Sequence, residues 1–175
     1  MHLGDHNVSG DDSYGKALGL INEASATVRK TAHNLMPEVL MQHGLEKALQ
    51  RYCSIVSNDK LLSIQYDSWG EIGRFASSFE LSVYRIVQEL INNIIRHAGA
   101  TEALVQLSCQ NHILSITVED NGAGFSKSGS GDVGFGLASL RSRVQALNGK
   151  MDMTNESGSG VSAYLEFDTR AINAN

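Results

Sequence analysis

The sequence predicts a two-layer α/β sandwich: a mixed β-sheet covered on one face by helices and preceded by one bundle helix. Three observations carry this. Elements succeed one another as helix, strand, helix, strand, strand, loop, helix, strand, strand, an order that mixes hairpins with helical connections. One helix, residues 79 to 97, is apolar over more than half its surface and so belongs inside the fold. Several short segments alternate apolar and polar residues, as strands do when one face is covered. The chain has 175 residues and 42% hydrophobic content, enough for one packed domain with an appendage.

The elements follow in order. Residues 1 to 15 are polar and glycine-containing, and read as a disordered or expression-derived end. Residues 16 to 37 form a separate helical piece. Leu18, Ile21, Ser25, Val28, Ala32 and Leu35 recur at alternating spacings of three and four, a narrow seam that packs against other helices. Pro37, the single proline, stops that helix. The main domain is expected over residues 38 to 170. It opens with a shorter helix from Leu45 to Val56 and a strand from Leu61 to Tyr66, followed by a glycine-bearing connection from Trp69 to Ser77. After helix 79 to 97, Ala103 to Cys109 and Ile113 to Glu119 pair as a hairpin through Gln110, Asn111 and His112. Residues 126 to 133 are rich in Gly and Ser and read as a mobile loop. A helix from Gly134 ends near Leu147, before Asn148 and Gly149. Met151 to Asn155 and Val161 to Phe167 complete the sheet, turning through Gly158, Ser159 and Gly160.

Bulk properties narrow the function. A net charge of −5 argues against non-specific nucleic-acid binding, which needs a basic face. No apolar run reaches the ~18 residues of a membrane span, and no signal peptide opens the chain. The two cysteines, Cys53 and Cys109, lack partner histidines at metal spacing and read as ordinary cytosolic thiols.

Two places stand out against this background. On the apolar helix, Glu89, Asn93, Arg96 and His97 fall at i, i+4, i+7 and i+8 and share one face. Buried polar groups are costly unless paired, so the cluster is either a site or an internal polar network tying helix to sheet. Further on, Asp120-Asn121-Gly122-Ala123-Gly124-Phe125 follows a strand. A carboxylate at a strand end accepts a hydrogen bond from an exocyclic amine, and glycines let backbone approach a flat ring. The competing reading is a glycine-rich turn. A dinucleotide fingerprint is excluded because its third glycine position holds Lys127, and a P-loop because Gly129 is followed by Ser130 and Gly131.

Three motifs therefore stand in sequence order: Glu89-x-x-x-Asn93-x-x-Arg96-His97, Asp120-x-Gly122-x-Gly124-Phe125, and Gly134-x-Gly136-Leu137. Together they resemble the N, G1 and G2 boxes of the GHKL ATPase superfamily, whose fold is the Bergerat α/β sandwich. The resemblance covers about residues 44 to 168. The run from Val28 to Pro37, followed by Leu40, Gly44-Leu45 and Ala48-Leu49, is similar to the nitrate-sensor and desaturase-sensor subgroup of sensor histidine kinases. In that subgroup it covers the second helix of the dimerisation and phosphoacceptor domain.

The resemblance implies the following roles. Glu89 and Asn93 would be catalytic, Asn93 offering its carboxamide oxygen to Mg²⁺ and Glu89 orienting a metal-bound water or assisting proton removal. Arg96 and His97 would contact phosphate or ribose. Asp120 would accept from the adenine amine of ATP, so that GTP is rejected. Gly122, Gly124 and Phe125 would line the nucleotide, residues 126 to 133 would be the ATP lid, and Gly134, Gly136 and Leu137 would bring backbone to the phosphates. The family often has Gly-x-Gly-Thr near its last strand; Val161 and Ser162 follow Gly160 here, which makes Ser162 the candidate hydroxyl beside the adenine-binding acid. Asn92 precedes Asn93, and helical phase relative to Glu89 favours Asn93 as the metal residue.

The implied activity is transfer of the ATP γ-phosphoryl to a histidine and then to an aspartate on a response-regulator receiver domain. None of the six histidines is followed by aspartate, the context in which the subgroup carries its acceptor. That places the acceptor on an upstream bundle helix outside this segment, with a homodimer formed by the full-length protein. The segment itself would make no nucleic-acid or membrane contact and lie in the cytoplasm, the full-length protein being anchored in the inner membrane. Two alternatives share the fold: an anti-sigma-factor-like serine kinase, and an ATP-gated clamp of the gyrase, MutL or heat-shock-90 type. The leader helix argues against the first and the short lid against the second.

Overall fold

The computed structural model describes residues 38–57, 61–124, 132–155 and 160–172, with backbone alone for 132–135. The helix expected at 16 to 35 lies outside these residues, as does the turn at 158 and 159. Helix α1 covers residues 38–56, followed by strand β1 (Ser63–Gly70), helix α2 (Ser77–Asn93), a π-helical turn (Ile94–Ala98), strands β2 (Glu102–Gln110) and β3 (Ile113–Asp120), helix α3 (Asp132–Ala146), and strands β4 (Lys150–Asn155) and β5 (Val161–Asp168). The strands form one five-stranded sheet in the order β1-β2-β3-β5-β4. β1 and β2 run parallel, and every other neighbouring pair is antiparallel. The mixed sheet matches the expected architecture, and its one parallel pair flanks the connection that contains α2.

Alternation along the strands divides the sheet into two faces. Val105 and Leu107 of β2, Leu114, Ile116 and Val118 of β3, and Ala163, Leu165 and Phe167 of β5 are buried. Their neighbours Gln106, Ser115, Thr117 and Tyr164 face the other way and are half-buried or exposed. Helix α2 covers the apolar face with Phe79, Val83, Ile86, Val87, Leu90 and Ile91. Phe79 stacks edge-on against both Phe75 (5.6 Å) and Phe167 (5.4 Å), pinning the start of α2 to β5. Helix α1 lies over β1, where Tyr66 Oη donates to the Glu46 carbonyl (3.2 Å) and Ser68 Oγ to its carboxylate (2.7 Å). Cys53 is buried in this layer, and burial pushes its thiol up to about 12, so it stays protonated at neutral pH.

Two boundaries differ from expectation for identifiable reasons. Helix α1 begins before Leu45 and runs through Gly44, whose φ of +79° is left-handed. A left-handed residue interrupts the helical ladder and leaves carbonyls without partners. Arg74 supplies one, its Nη2 donating to the Met41 carbonyl at 3.1 Å. A Cβ on Gly44 would stand 2.8 Å from Arg74 Cδ, so the position needs glycine for conformation and space. Strand β1 runs on through Trp69 and Gly70, which were expected in the connection, because all eight of its residues find parallel partners in β2. The 111–112 turn has φ of +50° at Asn111 and +64° at His112, the backbone of a two-residue type I′ hairpin.

Arg74 does more than cap α1. Its Nε and Nη2 reach the two carboxylate oxygens of Glu80, both at 3.1 Å, and Glu80 also accepts from the Phe75 backbone N–H at 3.1 Å. Helix α2 has no side-chain N-cap of its own. Glu80 reaching back to Phe75 takes that part, as the acid of a capping box does. The side chain of Glu80 is 1% exposed, so this ion pair is buried on the acidic side and fully hydrogen-bonded.

Candidate functional site

The site is built from the end of α2, the end of β3 and the start of α3. Along α2, Ile86, Val87, Leu90, Ile91 and Ile94 are committed to the core. Glu89 and Asn93, one turn apart, are left half-buried at its edge. The Asn93 side chain makes no hydrogen bond among the described residues. Asn92 is turned elsewhere: its amide stands near the phenol of Tyr52 on α1 and opposes the rise in that phenol's pKa. Burial pushes that phenol up to about 12, with Cys53 and Glu89 raising it further and Arg96 and Asn92 opposing. The two adjacent asparagines are thus told apart by what they touch, and Asn93 is the free one.

Beyond Asn93 the helix changes pitch. Ile94–Ala98 is a π-helical turn ended by left-handed Gly99 (φ +59°). A π turn winds less per residue than an α turn. Arg96 and His97 therefore do not continue the Glu89–Asn93 face at the predicted angle, and both are exposed. No hydrogen bond ties the four polar residues to the sheet among the described residues, which removes the internal-network reading of this cluster.

At the end of β3, Asp120 has the same parity as buried Leu114, Ile116 and Val118, so its side chain is on the helix side of the sheet. Its Oδ1 accepts from the Gly122 N–H at 2.8 Å; Oδ2 has no partner among the described residues. Gly122 is buried, and a Cβ there would fall 2.3 Å from the Ala98 carbonyl oxygen and 2.8 Å from Asp120 Oδ1. Apart from any approach to a flat ring, this position needs glycine because the π turn lies against it. Ala123 N–H donates to the same Ala98 carbonyl at 3.0 Å, joining the two motifs directly. Gly124 follows with φ +71°, and Phe125 lies outside the described residues.

Gly160, read from sequence only as a turn residue, encloses this site from β5. Its φ is +84°, and a Cβ would lie 1.8 Å from the Asp120 carbonyl oxygen. Gly160→Ala combines left-handed strain with a backbone clash, and is expected to destabilise the fold by more than about 2 kcal/mol in urea denaturation.

Ser162 does not face Asp120. Its hydroxyl donates to Glu119 Oε1 at 2.9 Å, not to Asp120. The register explains this: Ser162 is the cross-strand partner of Glu119, so both point from the open face of the sheet, opposite to Asp120. A shallow hollow lined by Ser63, Gln65, Glu102, Ala103, Leu104, Glu119, Asp120 and Asn121 lies where β2 starts and β3 ends, and so reaches the backbone beside the site.

The third motif is partly described. Residues 126–131 of the expected lid lie outside the described residues, while Asp132 and Val133 are the first residues of α3. Helix α3 therefore begins before Gly134. Asp is a residue type favoured at helix starts, and that competes with the loop-forming glycines. Gly134, Gly136 and Leu137 are in its first two turns. A Cβ at Gly136 would meet nothing within 4 Å, and Leu137 packs its half-buried side chain on the core. The free backbone N–H groups of this helix start are a place for anionic oxygens.

Three comparisons bear on this arrangement. The family model described as "Histidine kinase-, DNA gyrase B-, and HSP90-like ATPase" matches residues 79–171. Sensor histidine kinase ComP of Bacillus subtilis is 32% identical over 155 residues, which is 85% of this chain and 20% of that protein. Sensor histidine kinase MctS of Rhizobium johnstonii is 34% identical over 154 residues, 86% of this chain and 33% of its own length. The chain thus spans a fifth to a third of these relatives. Among solved structures, the histidine kinase domain of the blue-light activated kinase EL346 from Erythrobacter litoralis shares the fold, with a TM-score of 0.61 at 20% identity over 82% of this chain and 74% of that one.

Proposed function

We propose, from the premise that the chain belongs to the histidine kinase-, DNA gyrase B- and HSP90-like ATPase family, that its cleft holds ATP by the adenine amine at one end and by the phosphates at the other. The chain carries the ATP-binding catalytic domain of a sensor histidine kinase. Asp120 is the purine contact: one carboxylate oxygen is fixed by the Gly122 N–H and the other is free on the helix side. That half-anchored carboxylate is the observation that carries the reading. Its free oxygen suits an amine donor and repels the carbonyl that guanine presents there.

At the other end, Glu89 and Asn93 supply two oxygen donors one helical turn apart, and Asn93 is free of other bonds. The Asn93 carboxamide oxygen would be the ligand for a magnesium ion, which takes few protein ligands and leaves the rest to phosphate and water. When bound, the ion offsets the negative charge of the β- and γ-phosphates. Glu89 orients water or takes up a proton, Arg96 and His97 lie exposed where phosphate or ribose reaches them, and the start of α3 with Gly134 and Gly136 offers backbone N–H groups to the phosphates. The protein contributes positioning and charge rather than covalent chemistry.

The γ-phosphoryl passes to a histidine on a helix packed along the 16–35 seam, then to a receiver-domain aspartate of a response regulator. The kinase is of the nitrate-sensor and desaturase-sensor type, acts as a homodimer, and works in the cytoplasm from an inner-membrane anchor. Calorimetric titration tests the cleft. The chain should bind Mg-ATP and not Mg-GTP. Asp120→Ala should weaken ATP by about 10- to 100-fold, the worth of a hydrogen bond to a charged group, and leave base-free tripolyphosphate unchanged. Equal affinity of the wild-type chain for ATP and tripolyphosphate would remove the purine contact.

A further inference from the structure

We propose that Asn121 is a positioning residue for purine recognition, a clasp that sets the angle of Asp120 by tying the loop after β3 to the segment leaving the π turn. This rests on the adenine reading of Asp120 and deepens it. Asn121 stands between the acid and the buried Gly122, yet its own side chain points away from the cleft. Its Oδ1 accepts from two successive backbone N–H groups, Thr101 (2.9 Å) and Glu102 (3.0 Å). Its Nδ2 donates to Thr101 Oγ1 at 3.0 Å. The backbone adds a further bond, Asn121 N–H to the Glu102 carbonyl at 3.2 Å. Thr101 in turn accepts from Ser63 N–H at 2.9 Å, so the clasp gathers the starts of β1 and β2 with the end of β3.

The geometry makes this more than a surface turn. Residues 99 to 101 are the direct continuation of the π turn that follows Asn93. The loop of residues 121 to 123 is therefore held at two points on one segment: by Asn121 at Thr101 and Glu102, and by Ala123 at the Ala98 carbonyl. Between those points sits the Gly122 N–H that fixes Asp120 Oδ1. A small rotation of this peptide swings the free carboxylate oxygen. Because the clasp is exposed and the Asn121 backbone bond to Glu102 survives truncation of its side chain, loosening it is expected to disturb direction rather than unfold the loop.

The test is the ratio of affinities for Mg-ATP and Mg-ITP, whose base carries a carbonyl where adenine carries its amine, with tripolyphosphate as the base-free control. Wild-type chain and Asp120→Ala come first. Discrimination present in the former and lost in the latter supports the adenine reading; discrimination retained by Asp120→Ala overturns that reading and the clasp with it. With the reading in place, Asn121→Ala is expected to cut the ATP-to-ITP ratio about tenfold, the scale of one to two hydrogen bonds, while tripolyphosphate affinity stays within about twofold. Asn121→Asp should retain most of the ratio, since a carboxylate keeps both backbone bonds and the Thr101 hydroxyl rotates to donate to it. An unchanged ratio in Asn121→Ala, or an equal loss for all three ligands, would overturn the clasp. Should Asn121→Ala fail to fold, Asn121→Ser, too short to reach both backbone N–H groups and lacking the Nδ2 donor, takes its place, and a ratio at the wild-type value there would overturn the clasp as well.

Discussion

Asn93→Ala is expected to lower magnesium-dependent affinity for ATP by about 100-fold, the upper range for losing a group that holds or orients a metal. It should leave the urea midpoint unchanged or slightly raised. The second half of the expectation follows from the structure. The Asn93 side chain makes no hydrogen bond among the described residues, it is half-buried at the end of α2, and alanine is the better helix former. Nothing in the fold relies on its amide. The neighbouring Asn92→Ala should behave in the opposite sense, because it breaks the contact with the buried Tyr52 phenol. It should destabilise the chain by about 1 kcal/mol and affect nucleotide affinity little. Titration with and without a chelator, alongside denaturation of both variants, reads the contrast. An Asn93→Ala chain that binds Mg-ATP as well as wild type would take the metal role away from this residue.

Arg74→Ala is expected to produce the largest loss of stability from a surface-reaching residue, about 3 kcal/mol in urea denaturation. It leaves the Glu80 carboxylate, 1% exposed, without its counter-charge. Breaking a buried pair on one side costs about 3 to 5 kcal/mol. The lower end applies because the Arg74 side chain is 43% exposed and partly hydrated in the native state. Arg74 also holds the Met41 carbonyl at the Gly44 break, so the variant should loosen the start of α1. Arg74→Lys keeps the charge but not the two-pronged donor, and should recover only part of the loss. A loss below about 0.5 kcal/mol would place this pair among ordinary surface ion pairs.

The sequence made some of this legible and hid the rest for physical reasons. Period-two alternation exposed β2, β3 and β5, because each strand has one face under helices. The apolar stripe of α2 announced a buried helix, and Glu89 and Asn93 were visible against it. What was hidden depended on contacts distant in sequence. Strand β1 looked too short because its last residues are held by backbone pairing to β2, which needs no apolar pattern. The π turn at Ile94–Ala98 leaves no mark in hydrophobic spacing, so Arg96 and His97 were assigned an angle they do not keep. Ser162 stands one place past the hydroxyl position of the family's Gly-x-Gly-Thr pattern, and that one place matters in a strand: the β3–β5 register puts it opposite Glu119. The roles of Gly122 and Gly160 came from backbone approaching backbone, which no side-chain pattern reports.

The hairpin between β2 and β3 bears a consequence of its own. Asp120 and Glu119 are both acids, and only parity decides which of them looks into the cleft. That parity is shared with buried Leu114, Ile116 and Val118 and is matched by the two-residue turn at Asn111 and His112, which fixes how the strands are threaded. A one-residue slip carried into β3 would turn Glu119 to the helix side and Asp120 to the open face, but it would turn Leu114, Ile116 and Val118 out of the core with it. The face that Asp120 presents is thus tied to the packing of the whole strand, and the proposed purine contact inherits its direction from the core.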